Sequence, residues 1–296
     1  MKPAIPVYDI CAIAQKTIDE NDLLIERFSV YLQTRKKLWL PHRHSFYHLV
    51  MFTKGGGGHT IDFVQFPVVP FQIYFMIPGQ VHSWDFEGEM DGYVINFSSE
   101  FFQPFLKDPD YLDQFSFFKG NCENSVVSLT ESERERIVTL FEHMLEESAL
   151  EDKGKTDIIR TLLLELFMRV DRIVLSSTPQ LSKHHSNYHT LREYQRLIDL
   201  HFATLKLPGE YVSFLNVTVD HLNEICKEFL GQSSGQLIRN RILLEAKRLL
   251  VNADLSISEI AYQLNFSDNS YFTKFFKKYT QITPESFRKQ ALIKVV

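Results

Sequence analysis

The feature that most restricts this chain is a four-residue echo in its C-terminal third. Leu215-Asn216-Val217-Thr218 returns as Leu264-Asn265-Phe266-Ser267, 49 residues on, and self-similarity at a fixed offset marks a repeated structural unit. In each copy an Asn suits the left-handed backbone of a tight turn, and a Thr or Ser follows as a helix N-cap. Short helix, turn and amphipathic helix is the expected plan of each copy, with the second helices over Val219–Leu230 and 268–279. Between the copies, Leu237, Ile238, Ile242, Ala246 and Leu249 form one apolar stripe along Ser234–Leu250. That stripe predicts a single linking helix of about 25 Å at 1.5 Å per residue. Two such heads on a rigid spacer suit successive major grooves, about 34 Å apart on one face of DNA.

Charge supports a division of labour. The chain carries 32 Lys+Arg and 37 Asp+Glu, a formal net charge of −5, which by itself disfavours a polyanionic partner. Residues 1–189 hold 18 basic against 26 acidic residues, net −8, whereas 190–296 hold 14 against 11, net +3. Asymmetry of this kind points to a nucleic-acid-binding half.

The second repeat is the sharper one. Ser256-Ile257-Ser258-Glu259 is a capping box. In the following helix Phe272, Phe275, Phe276 and Tyr279 lie at helical spacing and make one buried face. Asn269, Ser270, Thr273 and Lys274 are left outward near the helix N-terminus, the end that meets base edges in a helix-turn-helix. Asn and Lys suit purine edges. Lys277, Lys278, Arg288 and Lys289 follow and are expected on phosphates, and Arg241 of the linking helix is counted among the DNA-binding residues. The first repeat offers His221, Asn223 and Lys227, but also Asp220, Glu224 and Glu228, and carboxylates repel the phosphate backbone. The second repeat is therefore expected to supply most of the affinity. The plainer alternative for any one of these residues is a solvated helix face.

Residues 24–101 read as β-rich. The segments 28–32, 48–52 and 92–97 alternate or run apolar, and Gly55-Gly56-Gly57-Gly58, Pro78-Gly79 and Glu87-Gly88 punctuate them, as in a sandwich or barrel. No Gly-Lys-Ser/Thr follows the four glycines, so they read as a hairpin turn and not as a phosphate loop. Near residue 130 the period changes. Thr130-Glu131-Ser132-Glu133 matches a capping box, and Ile137, Leu140, Phe141, Met144 and Leu145 follow at helical spacing. Ile159, Leu162, Leu163, Leu166, Phe167 and Val170 mark a second, antiparallel helix. The stretch 176–189 is polar and aperiodic. The expected class is α+β in two domains: a β-barrel over 1–129, a helical dimerisation segment over 130–176, a linker over 177–189 and an all-α domain over 190–296.

Residues 192–290 resemble the DNA-binding domain of the AraC/XylS family of bacterial regulators. The resemblance is carried by Asn240-Arg241-Ile242-Leu243-Leu244-Glu245-Ala246-Lys247-Arg248-Leu249-Leu250, Ile257-Ser258-Glu259-Ile260-Ala261, the run from Ser270-Tyr271-Phe272 to Lys278, and Thr283-Pro284-Glu285-Ser286-Phe287-Arg288. It implies seven helices with two helix-turn-helix units on double-stranded DNA, and contact with RNA polymerase. The family usually has Gly where Asn265 and Gln281 stand; Asn fits a left-handed turn, Gln less well. Residues 35–101 resemble the arabinose-binding-type cupin sensor, through Pro41-His42-Arg43-His44, the four glycines and Ile77-Pro78-Gly79-Gln80-Val81-His82. This implies a small barrel with an interior pocket for a small-molecule effector, followed by helices that form a homodimer.

His42, His44, His48 and His82 fall on the spacing of cupin metal ligands, with His48 where a glutamate usually sits. His42 and His44 would point the same way from a strand, and imidazoles suit Zn, Fe, Ni or Cu. One reading is a four-His metal site; the other is polar lining in a sensor without metal. The resemblance favours the second, so no cofactor is expected. Arg43, His82 and Trp84, with His42 and His44, are then candidate effector contacts. Aromatics crowd 63–118 and mostly suit a core. No substrate acid or base stands out, so a non-catalytic regulator leads. A metal-dependent cupin enzyme fused to a DNA-binding domain and a constitutive DNA binder are the rivals. Cys11, Cys122 and Cys226 form no close pair, which fits a reducing cytoplasm. No run of about 18 apolar residues and no secretory start is present, so no membrane partner is expected.

Overall fold

The computed structural model describes residues 5–14, 23–108, 111–120, 124–176, 185–252 and 254–293. They form two compact units, within Pro6–Thr178 and within Pro179–Val296.

The first unit is built on two long strands. β4 (Tyr47–Ile61) and β7 (Val81–Phe97) run antiparallel along most of their length. β1 (Val7–Tyr8) and β3 (His42–His44) flank β7, and β6 (Gln72–Met76) and β8 (Val126–Ser128) flank β4, in the order β1-β3-β7-β4-β6-β8. β2 (Leu23–Arg27) also pairs with β7, and β5 (Val64–Pro67) with β4. Among the described residues this path does not close on itself, so the expected barrel is an open eight-stranded sheet.

Strand alternation sorts the core into two. Leu49, Met51, Phe75, Ile95 and Phe97 pack with Phe141, Leu163 and Phe167 of α3 (Glu131–Ser148) and α4 (Lys155–Ser176). Val50, Phe52, Tyr74, Trp84 and Val94 pack on the other face with Phe28 and Tyr31 of α2 (Phe28–Thr34). The helices expected to form a separate segment therefore complete the sheet's own core. Thr130 does start α3, but its side chain meets Ser132 and caps no backbone N–H.

Three local expectations fail for identifiable reasons. The segment 28–32 is helical, because Phe28 and Tyr31, three residues apart, are both buried while Val30 between them is exposed. The four glycines are not a turn. They lie inside β4, where the ladder to β7 shifts register between Phe52 and Lys54 and again between Lys54 and Gly56. Glu87-Gly88 likewise lies within β7, with Glu87 opposite Gly56. Gly57 takes φ +94°, and a Cβ there would come within 2.3 Å of the Asp85 carbonyl oxygen, so only glycine lets the strands approach at this bulge. The turn that ends β4 is instead at Asp62 and Phe63, both with positive φ.

The second unit is all-helical: α5 (His185–His201), α6 (Val212–Leu215), α7 (Val219–Leu230), α8 (Ser234–Leu250), α9 (Ile257–Gln263), α10 (Asn269–Thr280) and α11 (Pro284–Ile293). Five residues of the expected linker, 185–189, belong to α5; 177–184 lies outside the described residues. Leu222, Ile225, Ile238, Ile242, Ala246, Ile260, Phe272 and Phe276 share one core. Both repeat turns take the left-handed backbone at Asn, φ 52° at Asn216 and at Asn265. Thr218 caps α7 by accepting from the His221 N–H. In the second copy the cap is Asp268, not Ser267, and it accepts from the Tyr271 N–H at 2.7 Å. Ser256 and Glu259 close the capping box of α9 reciprocally.

Candidate DNA-binding surface and buried histidine cluster

On α10, burial of Phe272 and Phe276 turns the opposite face to solvent. Asn269, Ser270, Lys274, Lys277 and Lys278 are exposed, and Thr273 is half-buried. Thr273 donates its hydroxyl to Asn269 Oδ1 at 3.3 Å. The helix carries three lysines and no carboxylate. On α7, buried Leu222, Ile225 and Cys226 leave Asp220, Glu224 and Glu228 on the exposed side, with Lys227. His221 is exposed, 3.8 Å from the Glu224 carboxylate. The two helices thus share a fold but not a surface charge.

Three residues grouped with the DNA set have partners inside the unit. Asn223 Oδ1 accepts from the Ser234 N–H at 3.1 Å and ties α7 to the start of α8. Arg241 donates to Asp199 and Glu245 and lies 4.0 Å over the Phe202 ring. Arg288 donates to the Leu250 carbonyl at 2.9 Å, holding α11 to the end of α8. Lys206, which carries no sequence signal, donates its Nζ to the Asn265 carbonyl and sits 3.8 Å over Phe266. It staples the second turn, and burial lowers its ammonium below the usual range.

In the first unit His42, His44, His48 and His82 are all buried, and a fifth, His59, is buried beside them. His42 pairs across strands with His82, and His48 with Asn96. His44 Nε2 lies 2.8 Å from His82 Nε2, and His59 Nε2 lies 3.2 Å from His82 Nδ1. His59 was invisible to spacing arguments because of the glycine bulge. Before it, even-numbered His48, Val50 and Phe52 face this side; after it, odd-numbered His59 and Ile61 do. Trp84 meets the cluster edge-on, 5.2 Å from the His82 ring at an interplanar angle of 80°, and is buried. Arg43 is half-buried on the alternate face of β3.

Removal from water pushes His42 down to about 4 and His48 to about 3. It holds His44, His59 and His82 well below the ordinary histidine range, and neighbouring imidazoles add to the effect. All five are neutral near pH 7. His42 Nε2, His44 Nδ1, His48 Nε2, His59 Nδ1 and Trp84 Nε1 are buried without a hydrogen-bond partner. A cluster of orphaned polar atoms within an aromatic core is uncommon and calls for an explanation.

Fold and surface define a class: a DNA-binding protein with paired helix-turn-helix units and an attached β-rich domain. Residues 32–167 match the AraC-like ligand binding domain, and residues 211–290 match a helix-turn-helix domain. The probable transcription factor PqrA of Proteus vulgaris is 44% identical over 68 residues, 23% of this chain and 56% of that protein. The transcriptional activator RhaR of Mannheimia succiniciproducens is 21% identical over 257 residues, 86% of this chain and 88% of the other. Among solved structures, ToxT of Vibrio cholerae aligns over 93% of this chain and 99% of its own, at 13% identity and a TM-score of 0.45. The chain thus pairs an AraC-like ligand binding domain with a helix-turn-helix domain, the arrangement of a DNA-binding transcription regulator.

Proposed function

We propose that this protein is a sequence-specific regulator of transcription that binds double-stranded DNA through α7 and α10 and responds to a small-molecule effector in its N-terminal unit. The observation that carries the reading is the α10 face of Asn269, Ser270, Thr273 and Lys274 followed by Lys277 and Lys278, all on a helix without a carboxylate. Lysines along such a helix supply the sequence-independent attraction to phosphates, and Asn269 with Lys274 supplies base readout. The acidic stripe of α7 makes it the weaker reader.

Effector binding biases one of two arrangements of the regulator and so changes how the heads engage DNA. Trp84 and the buried histidines are the groups offered to it. The role is regulatory and not catalytic, the compartment is the cytoplasm, and RNA polymerase is the downstream partner. No described helix is long and apolar enough to cross a membrane. DNase footprinting on the promoters beside its own gene, with and without candidate small molecules, tests the reading. A discrete protected site whose occupancy or length changes with one compound is expected. Uniform, salt-sensitive coverage with no protected site would refute it.

A further inference from the structure

We infer that His42, His44 and His82 form a three-imidazole site for a first-row divalent transition-metal ion in the interior of the N-terminal unit. The inference stands apart from the DNA-binding reading, but it gives an ion the same buried histidines that the effector reading uses, so a metal ion there would itself be the group the N-terminal unit senses or would share the site with the effector. The inference departs from the expectation of no cofactor, which rested on the family resemblance, because three of the four histidines read from the spacing converge in the structure.

The ligand nitrogens of these three buried residues all lie within 4.8 Å of one another. Nitrogens bound to one such ion at about 2.1 Å sit roughly 3.0–3.4 Å apart, so small rotations of the rings close the site. The protonation pattern of His42 is already that of a ligand, whereas His44 Nε2 and His82 Nε2, 2.8 Å apart, share one proton that the ion would displace. His42 Nδ1 is 2.8 Å from the Leu40 carbonyl oxygen; a carbonyl only accepts, so Nδ1 carries the proton. His42 Nε2 is then a bare lone pair, buried and without a donor. A ligating histidine commonly donates its other N–H to a carbonyl in this way. His82 has the equivalent arrangement: with its Nε2 on the ion, Nδ1–H donates to His59 Nε2 at 3.2 Å. His59 is thus a positioning residue for His82.

A fourth imidazole borders the site. His48 donates Nδ1–H to Asn96 Oδ1 at 2.5 Å, which leaves its Nε2 as a second bare, buried lone pair. Its ring centroid is 4.8 Å from that of His44 and 5.3 Å from that of His82. The converging group contains no carboxylate, which disfavours Mg2+ and Ca2+ and favours ions such as Zn2+, Co2+, Ni2+ or Fe2+. One bound cation would satisfy the lone pairs that the apolar surroundings leave unpaired.

The test uses the full chain, stripped with a chelator and checked for retained fold by circular dichroism, then titrated with Co2+ or Zn2+. One ion per chain is expected. Bound Co2+ should quench the fluorescence of Trp84, whose ring lies 5.2 Å from His82. X-ray absorption of the Zn2+-loaded protein should count at least three imidazole nitrogens. His42→Ala and His82→Ala should abolish uptake, and His59→Ala should weaken it by about 10–100-fold. No uptake by the folded wild-type chain, or undiminished uptake by a folded His42→Ala variant, would overturn the site. Should the variants not fold, the wild-type absorption spectrum decides: fewer than three imidazoles refutes the assignment.

Discussion

At the scale of single residues, the two departures from the family's glycines have different consequences. Asn265 sits at φ 52° and Gln281 at φ 65°, both in the left-handed region. Asn reaches that region routinely, whereas other non-glycine residues lose about 1–2 kcal/mol there. Gln281 ends α10 with its N–H bonded to the Lys277 carbonyl, and its side chain donates to the Lys278 carbonyl at 3.1 Å, a bond that glycine would forfeit. Gln281→Gly should still stabilise the C-terminal unit, by up to about 1 kcal/mol, since the relieved strain exceeds the extra chain entropy of glycine. Asn265→Gly should change stability much less. Urea unfolding followed by far-UV circular dichroism checks both, because Trp39 and Trp84 lie in the other unit. A lower midpoint for Gln281→Gly would mean that the side-chain bond outweighs the backbone strain.

At the scale of elements, α7 and α10 are one structural device with two surfaces. Each follows a left-handed Asn turn and an oxygen cap, yet α10 presents lysines where α7 presents Asp220, Glu224 and Glu228. Lys274→Ala and Asn269→Ala should each weaken binding to the cognate site by about 1–3 kcal/mol and relax specificity there. Lys277→Ala should weaken binding to all sequences alike and flatten the salt dependence by about one counterion. Competition binding on specific and random duplexes at several salt concentrations separates the two outcomes. Equal losses on both duplexes for Lys274→Ala would reassign it to phosphate. Arg241, Arg288 and Asn223 illustrate the limit of reading such helices from spacing. Their helical positions allow them to face outward, but Arg241 is ion-paired to Asp199, and Arg288 reaches the Leu250 carbonyl. Asn223 caps α8 through Ser234. Those partners lie 42, 38 and 11 residues away along the chain, beyond the reach of a periodicity argument.

At the scale of the whole molecule, the proposal that the regulator pairs as a homodimer can be tested on α4. Its buried face, Ile159, Leu163, Leu166, Phe167 and Val170, completes the sheet's core, while Ile158, Met168 and Leu175 stay exposed along the other side. A two-fold pairing of that stripe would give the homodimer expected of such a regulator. Met168→Glu should convert the protein to monomer without unfolding it, as read by light scattering after gel filtration and by circular dichroism. A dimer that survives Met168→Glu would place the interface elsewhere. The chain alone determined the second unit almost completely. Its helices are set by local spacing, its turns by Asn216 and Asn265, and its caps by Thr218, Ser256 and Asp268, all interactions within a few residues. Only the tertiary structure decided the interior of the first unit. A glycine bulge reversed the alternation of β4 and carried His59 to the side of His42, His44, His48 and His82. Side-chain parity along a strand is a property of its pairing with β7, and no stretch of β4 read by itself contains that pairing.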